Sequence, residues 1–143
     1  MNRLVNNVLR DYTEVIKEKD VEVKVGDLPA VLCDQNMIQQ VFSNLISNGI
    51  KYSKENSRAK VSIGYDANLK AFYVKDNGIG FDMQYHDKIF QVFQRLQLPE
   101  DYEGTGIGLA IVKRMVERHR GNIWAESELD KGTTFYVQLP VEA

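Results

Sequence analysis

Asn44, Asn48 and Lys51 fall at i, i+4 and i+7 in a stretch whose apolar residues, Ile38, Val41, Phe42, Leu45 and Ile46, keep the period of a helix. The three polar side chains therefore share one face, opposite much of the apolar stripe. Asparagine is a poor helix former, so two of them stacked with a lysine ask for a reason. A solvated face is one reading. The other is a polar wall lining a nucleotide site, with amide oxygens as hard ligands for Mg²⁺ and the ammonium on a phosphate. The stripe alone leaves both open.

A second group is Asp76-Asn77-Gly78-Ile79-Gly80, at the end of an apolar strand. Asn-Gly is the commonest hairpin signal, but Gly80-Phe81-Asp82 runs on into loop instead of a returning strand. A carboxylate buried at a strand end can accept a hydrogen bond from an amine, as holding adenine by its exocyclic nitrogen requires. The third group, Gly104-Thr105-Gly106-Ile107-Gly108-Leu109, opens an apolar helix. Glycines there let backbone amides approach an anion, and the helix dipole favours negative charge. A flexible loop-to-helix junction is the plain alternative. No Gly-Lys-Ser/Thr follows, so this is not a Walker A loop. Leu109 stands where a Rossmann fingerprint needs glycine, and no strand precedes the segment.

These groups need elements to hold them. The chain has 143 residues, 43% hydrophobic and 27% charged, enough for one ordinary globular core. Eighteen Lys and Arg against twenty Asp and Glu leave a net charge of −2, which argues against a nucleic-acid-binding face. One cysteine, Cys33, excludes an internal disulfide, and two distant histidines exclude metal sites of the usual spacing. No apolar run has membrane or signal-peptide length. A cytoplasmic monomer is expected.

Residues 1–18 carry Leu4, Val5, Val8, Leu9, Tyr12, Val15 and Ile16 on one helical face, with Asn2 as the only capping candidate. The spacing predicts one helix, the end of a longer linker. Alternation at Val21, Val23 and Val25 predicts a strand, and Asp34 an N-cap for the Asn-bearing helix. Val61, Ile63 and Tyr65 pair as a hairpin with Phe72 and Val74. A short helix is expected near Asp87–Phe93, then an apolar helix over 107–116 stopped by Gly121. Ile123–Glu126 and Thr134–Leu139 close a last hairpin around Asp130-Lys131-Gly132. The expected fold is a two-layer α/β sandwich: a mixed, mostly antiparallel sheet of about five strands on three main helices.

The order of the groups decides among the readings. The chain resembles the GHKL ATP-binding superfamily, and within it the catalytic domain of sensor histidine kinases. Asn44 to Ser53 is similar to the N box, Asp76 to Gly80 to the G1 box, Ile89-Phe90-Gln91-Val92-Phe93 to the F box and Gly104 to Leu109 to the G2 box. Phe93-Gln94-Arg95-Leu96 is similar to phytochrome-type and PAS-coupled kinases. The resemblance runs from about Val21 to Pro140 and implies a Bergerat-type fold, with residues 1–18 ending a linker or dimerisation helix and 19–143 forming the catalytic domain.

The resemblance also implies roles. Asn48 binds Mg²⁺, with Asn44 beside the metal or phosphates. Lys51 meets a phosphate, Tyr52 lines the pocket and Asp76 recognises adenine. Gly78 and Gly80 let the chain pass close to the base. Gly104, Thr105, Gly106, Gly108 and Leu109 form the lid hinge and phosphate loop. Arg95 is the lid cation for the γ-phosphate, ahead of Lys88, and Thr133 brings a hydroxyl near the adenine. The acidic lid, about 94–104 with Pro99, is expected to be the most mobile internal segment without nucleotide.

ATP and Mg²⁺ are the implied ligands. The implied partners are the kinase's own dimerisation and histidine-phosphotransfer domain and, indirectly, a response regulator. Neither nucleic acid nor membrane contact is expected. Two departures stand out. Gly49 replaces the usual small residue, at about 1 kcal/mol of helix propensity. Neither His86, inside the F-box region, nor His119 has the surroundings of a phospho-acceptor. Other superfamily readings are an ATPase switch, an anti-sigma-type serine kinase and a plain nucleotide-binding module. The hydrolases place a glutamate base one turn before the metal-binding Asn, where this chain has Asn44.

Overall fold

The computed structural model describes residues 1–31, 33–52, 58–85, 90 and 108–140. The Asn-bearing helix, α3 (Gln35–Lys51), begins where expected, with the Asp34 carboxylate accepting from Met37 N at 3.1 Å. It buries Ile38, Val41, Phe42, Leu45, Ile46 and Ile50, each contributing on the order of 2 kcal/mol of apolar transfer.

Against α3 lies a five-stranded sheet in the order β1-β2-β3-β5-β4. Its strands are β1 (Glu22–Val25), β2 (Lys60–Asp66), β3 (Ala71–Asp76), β4 (Asn122–Glu128) and β5 (Gly132–Gln138). β1 runs parallel to β2 and the other pairs are antiparallel, the expected mixed sheet. Parallel pairing needs a crossover, and α3 lies in the chain between those two strands. Phe72 meets Phe42 edge-on at 6.0 Å, locking sheet to helix.

The N-terminal segment departs from its expectation. Two helices stand there, α1 (Asn2–Asp11) and α2 (Thr13–Glu18), parted at Tyr12. Thr13 Oγ1 donates back to the Arg10 carbonyl at 2.9 Å, and the Tyr12 hydroxyl is 2.7 Å from Ser43 Oγ on α3. Local side-chain bonding of that kind competes with the helix ladder. Asn2 is no cap: its amide donates to Gly26 O and accepts from Leu28 N, tying α1 to the loop after β1. Leu4, Val5 and Val8 are buried in the same core as α3 and the sheet.

The last helix, α4 (Gly108–Arg118), packs on α3. Its stop differs by one residue from expectation. Arg120 takes the left-handed φ of 58°, and Gly121 N and Arg120 N bond back to Val116 O and Glu117 O, a Schellman closure. Gly121 is needed for space, because a Cβ there would lie 2.1 Å from Gln138 O. The expected helix near Asp87–Phe93 lies outside the described residues except for Phe90, which is buried edge-on against Phe135 at 6.3 Å.

Candidate functional site

Strand register builds the centre of the site. Val61, Asp76, Thr133 and Ser127 are direct partners across β2, β3, β5 and β4. Direct partners point to one side of a sheet, so the four side chains form a row on one face. It is the α3 face, since a Cβ on Gly49 would lie 3.3 Å from Val61 Cγ2 and 3.4 Å from Asp76 Cβ. The row runs from an apolar side chain to three polar ones.

Asp76 Oδ1 accepts from Gly78 N at 2.8 Å and Thr133 N at 3.3 Å. Oδ2 accepts from no protein group among the described residues. Burial pushes the carboxyl up to about 6, and the two amide bonds pull against that rise. At neutral pH it is therefore mostly a carboxylate, with one oxygen tied down and the other open to a donor.

The loop after Asp76 is clamped from two sides. Ile79 N donates to Tyr52 O at 2.9 Å, joining it to the end of α3, and Asp130 N donates to Ile79 O at 2.7 Å, joining it to the β4–β5 turn. The close approaches of its glycines are to the protein's own backbone. A Cβ at Gly78 would lie 2.3 Å from Tyr52 O; Gly80, at φ 67°, would place one 2.1 Å from Glu128 O. Asn77 faces the other way, accepting from Lys60 N and donating to Arg58 O, so it staples the start of β2.

The polar stripe of α3 leads away from this centre. Asn44 Nδ2 donates to Gln40 O at 3.0 Å, and its carbonyl oxygen has no partner among the described residues. The half-buried Asn48 amide has no hydrogen-bond partner among the described residues, and Lys51 is exposed at the helix end. Amide oxygens suit Mg²⁺, which takes one or two protein ligands alongside substrate phosphates. No cluster of three or more His, Cys, Asp or Glu could hold a metal among the described residues. An Asn-held ion shared with phosphates fits that donor set.

The structure thus brings together Asn48, Gly49, Tyr52, Asp76, Gly78, Gly80 and Thr133. Gly108 and the half-buried Leu109 open α4. Lys88, Arg95, Gly104, Thr105 and Gly106 lie outside the described residues. Sequence reasoning missed Ser127. Its hydroxyl accepts from Phe81 N at 2.8 Å, donates to Gly132 O at 2.9 Å and is 2.8 Å from Thr133 Oγ1. Counting the last hairpin back from Gly132 could have found it.

The family model for histidine kinase-, DNA gyrase B- and HSP90-like ATPases matches residues 33–143. Phytochrome-like protein Cph1 of a Synechocystis strain is 44% identical over 143 residues, 99% of this chain and 19% of that protein. The chain thus spans about a fifth of that relative's length. The fold matches mycobacterial sensor histidine kinase MprB with a TM-score of 0.83 at 24% identity, covering 98% of this chain and 95% of that one. The catalytic domain of histidine kinase ThkA is 26% identical with a TM-score of 0.77, covering 97% and 92%. No described helix is long and apolar enough to cross a membrane. The chain belongs to the histidine kinase-, DNA gyrase B- and HSP90-like ATPase family.

Proposed function

We propose that the chain is the ATP-binding catalytic domain of a sensor histidine kinase. It transfers the γ-phosphoryl group of ATP to a histidine on a dimerisation domain, in a phosphorelay that ends on a response regulator in the cytoplasm. The observation that carries this reading is Asp76: a buried carboxylate with Oδ1 held by two backbone amides and Oδ2 open, beside a helix that presents Asn48 and Lys51. The open oxygen accepts the adenine amine. Asn48 would hold Mg²⁺, with Asn44 beside it, and the metal when bound neutralises phosphate charge. Lys51 and, in the lid, Arg95 meet the phosphates, and the glycines from Gly104 to Gly108 present amides to them.

Catalysis in this scheme is mostly positioning. The acceptor imidazole nitrogen attacks the γ-phosphorus in line, the N–P bond forms, and the bridging P–O bond breaks to release ADP. Residues 1–18 belong to the linker from the dimerisation domain, their first helix seated on α3. An ATPase switch is disfavoured by Asn44. Its amide nitrogen is spent on Gln40 O, and its oxygen cannot take a proton from water.

Incubation with γ-labelled ATP tests the reading. The chain alone should neither label itself nor hydrolyse ATP quickly, and it should slowly label the parent kinase's dimerisation domain added in trans. Brisk hydrolysis with no labelled histidine would favour the ATPase switch.

A further inference from the structure

The hydroxyl of Ser127 has one proton and two lone pairs. Its proton goes to Gly132 O, which can only accept, and one lone pair receives Phe81 N–H. The contact of 2.8 Å to Thr133 Oγ1 then has one direction: Thr133 donates and Ser127 accepts with its last lone pair. That leaves Thr133 Oγ1 with lone pairs alone. No other described group bonds to it. Its register partner is Asp76, whose Oδ1 takes the Gly78 and Thr133 amides and whose Oδ2 also only accepts. Among the described residues, the base end of the site therefore presents acceptors on two register-paired residues and no side-chain donor.

We propose that Ser127 is a positioning residue for nucleotide selectivity, holding the Thr133 hydroxyl as an acceptor beside Asp76 so that the site takes a 6-amino purine and repels a 6-oxo one. The proposal rests on the reading that Asp76 meets the base. An amine offers two protons to the pair. A 6-oxo group would put a third acceptor against them, with buried lone pairs unmatched. Ser127 touches no ligand; it acts on selectivity through Thr133.

The test is calorimetric titration of the chain with ATP and with inosine triphosphate, whose base carries oxygen at position 6. In Ser127→Ala the Thr133 proton is released and can turn toward that oxygen. The ATP-to-ITP affinity ratio should fall about tenfold, mostly through tighter ITP binding. Ser127→Thr, which keeps the hydroxyl, should hold the native ratio. In a Thr133→Val background, Ser127→Ala should leave the ratio unmoved, because the group it acts through is gone. A purely structural role would weaken both nucleotides alike. An unchanged ratio in Ser127→Ala, or an undiminished effect in the Thr133→Val background, would overturn the proposal. Should Ser127→Ala fail to fold, Ser127→Cys, with its weak thiol donor and acceptor, should lower the ratio severalfold, and an unchanged ratio there overturns it equally. Asp76→Asn separates the two readings: if that variant keeps the native ratio, the assignment of the base end itself falls.

Discussion

The two ends of the proposed nucleotide site are built in opposite ways. At the base end, Asp76, Thr133 and Ser127 sit in register on the sheet, and backbone amides fix one carboxylate oxygen. At the phosphate end, the amide of Asn48 is unpartnered among the described residues and Lys51 is exposed. A group held by the fold has its geometry set before ligand arrives. An unpartnered group on a helix face takes its geometry from the ion or phosphate it meets. On the proposed reading, selectivity belongs to the folded core, whereas affinity for the charged end is assembled on binding. Substitutions at the base end should disturb binding and stability together, and those at the phosphate end should disturb binding alone.

Asp76→Asn carries the largest expected effect. The amide places a donor where the open Oδ2 only accepts, so ATP affinity should fall about a thousandfold, or about 4 kcal/mol. Stability should move the other way at pH 7, because the variant removes a charge that burial disfavours. Calorimetry and thermal melting on one preparation read both. A variant that binds ATP normally would remove Asp76 from the site.

Gly80→Ala comes next. Its φ of 67° disfavours a side chain by about 1 kcal/mol, and the new Cβ would lie 2.1 Å from Glu128 O. Overlap with rigid backbone should bring the total loss of stability to about 3 kcal/mol. Denaturant unfolding measures it. A loss under about 0.5 kcal/mol, the range of a neutral surface change, would mean that the clamp between the loop and the β4–β5 turn gives way easily.

What was legible in the sequence was local. The Asp34 cap, the apolar stripe of α3 and the alternation in β2, β3 and β5 follow from neighbours within a few residues. The fold class followed from the order of those pieces. The Tyr12 break was hidden because the apolar period continues through it, and only the approach of Ser43 across 31 positions supplies the bond. Arg120 took the left-handed place because Gly121 was needed beside Gln138 on another strand. In the site, the Asp76 loop and the Asn stripe announced themselves by residue type. Ser127 did not. A serine in an alternating strand means nothing until register sets it opposite Thr133. Asn77 looked like part of the nucleotide loop, yet its side chain is spent on Arg58 and Lys60.

Asn48→Ala tests the phosphate end. The side chain has no partner to lose among the described residues, and alanine is the better helix former by a few tenths of a kcal/mol. The melting temperature should stay level or rise slightly. Affinity for ATP with Mg²⁺ should drop about thirtyfold, or about 2 kcal/mol, with a much smaller loss when EDTA removes the metal. A matching loss under both conditions would take Asn48 off the metal and leave it as a phosphate or structural contact.

The smallest expected effect on ATP affinity is its dependence on pH, where the two ends should part most cleanly. The Asp76 carboxyl is raised from its ordinary 3.8 to about 6 in the folded chain, chiefly because burial disfavours the charge. The folded state therefore holds more protons than the unfolded state between those values, and stability falls as pH rises through that window. The penalty is absent below about 3.8 and fully present above about 6, where it amounts to about 3 kcal/mol. On the proposed reading ATP binding should run in the opposite sense, because the adenine amine needs the ionised acceptor. Between pH 7 and pH 5 the ionised fraction falls about tenfold, so affinity should fall about tenfold, with one proton released as ATP binds at pH 5. Calorimetry in buffers of different ionisation enthalpy counts that proton. In Asp76→Asn the release should vanish, while Asn48→Ala should keep it. A release that survives Asp76→Asn would assign the linkage to the phosphate end.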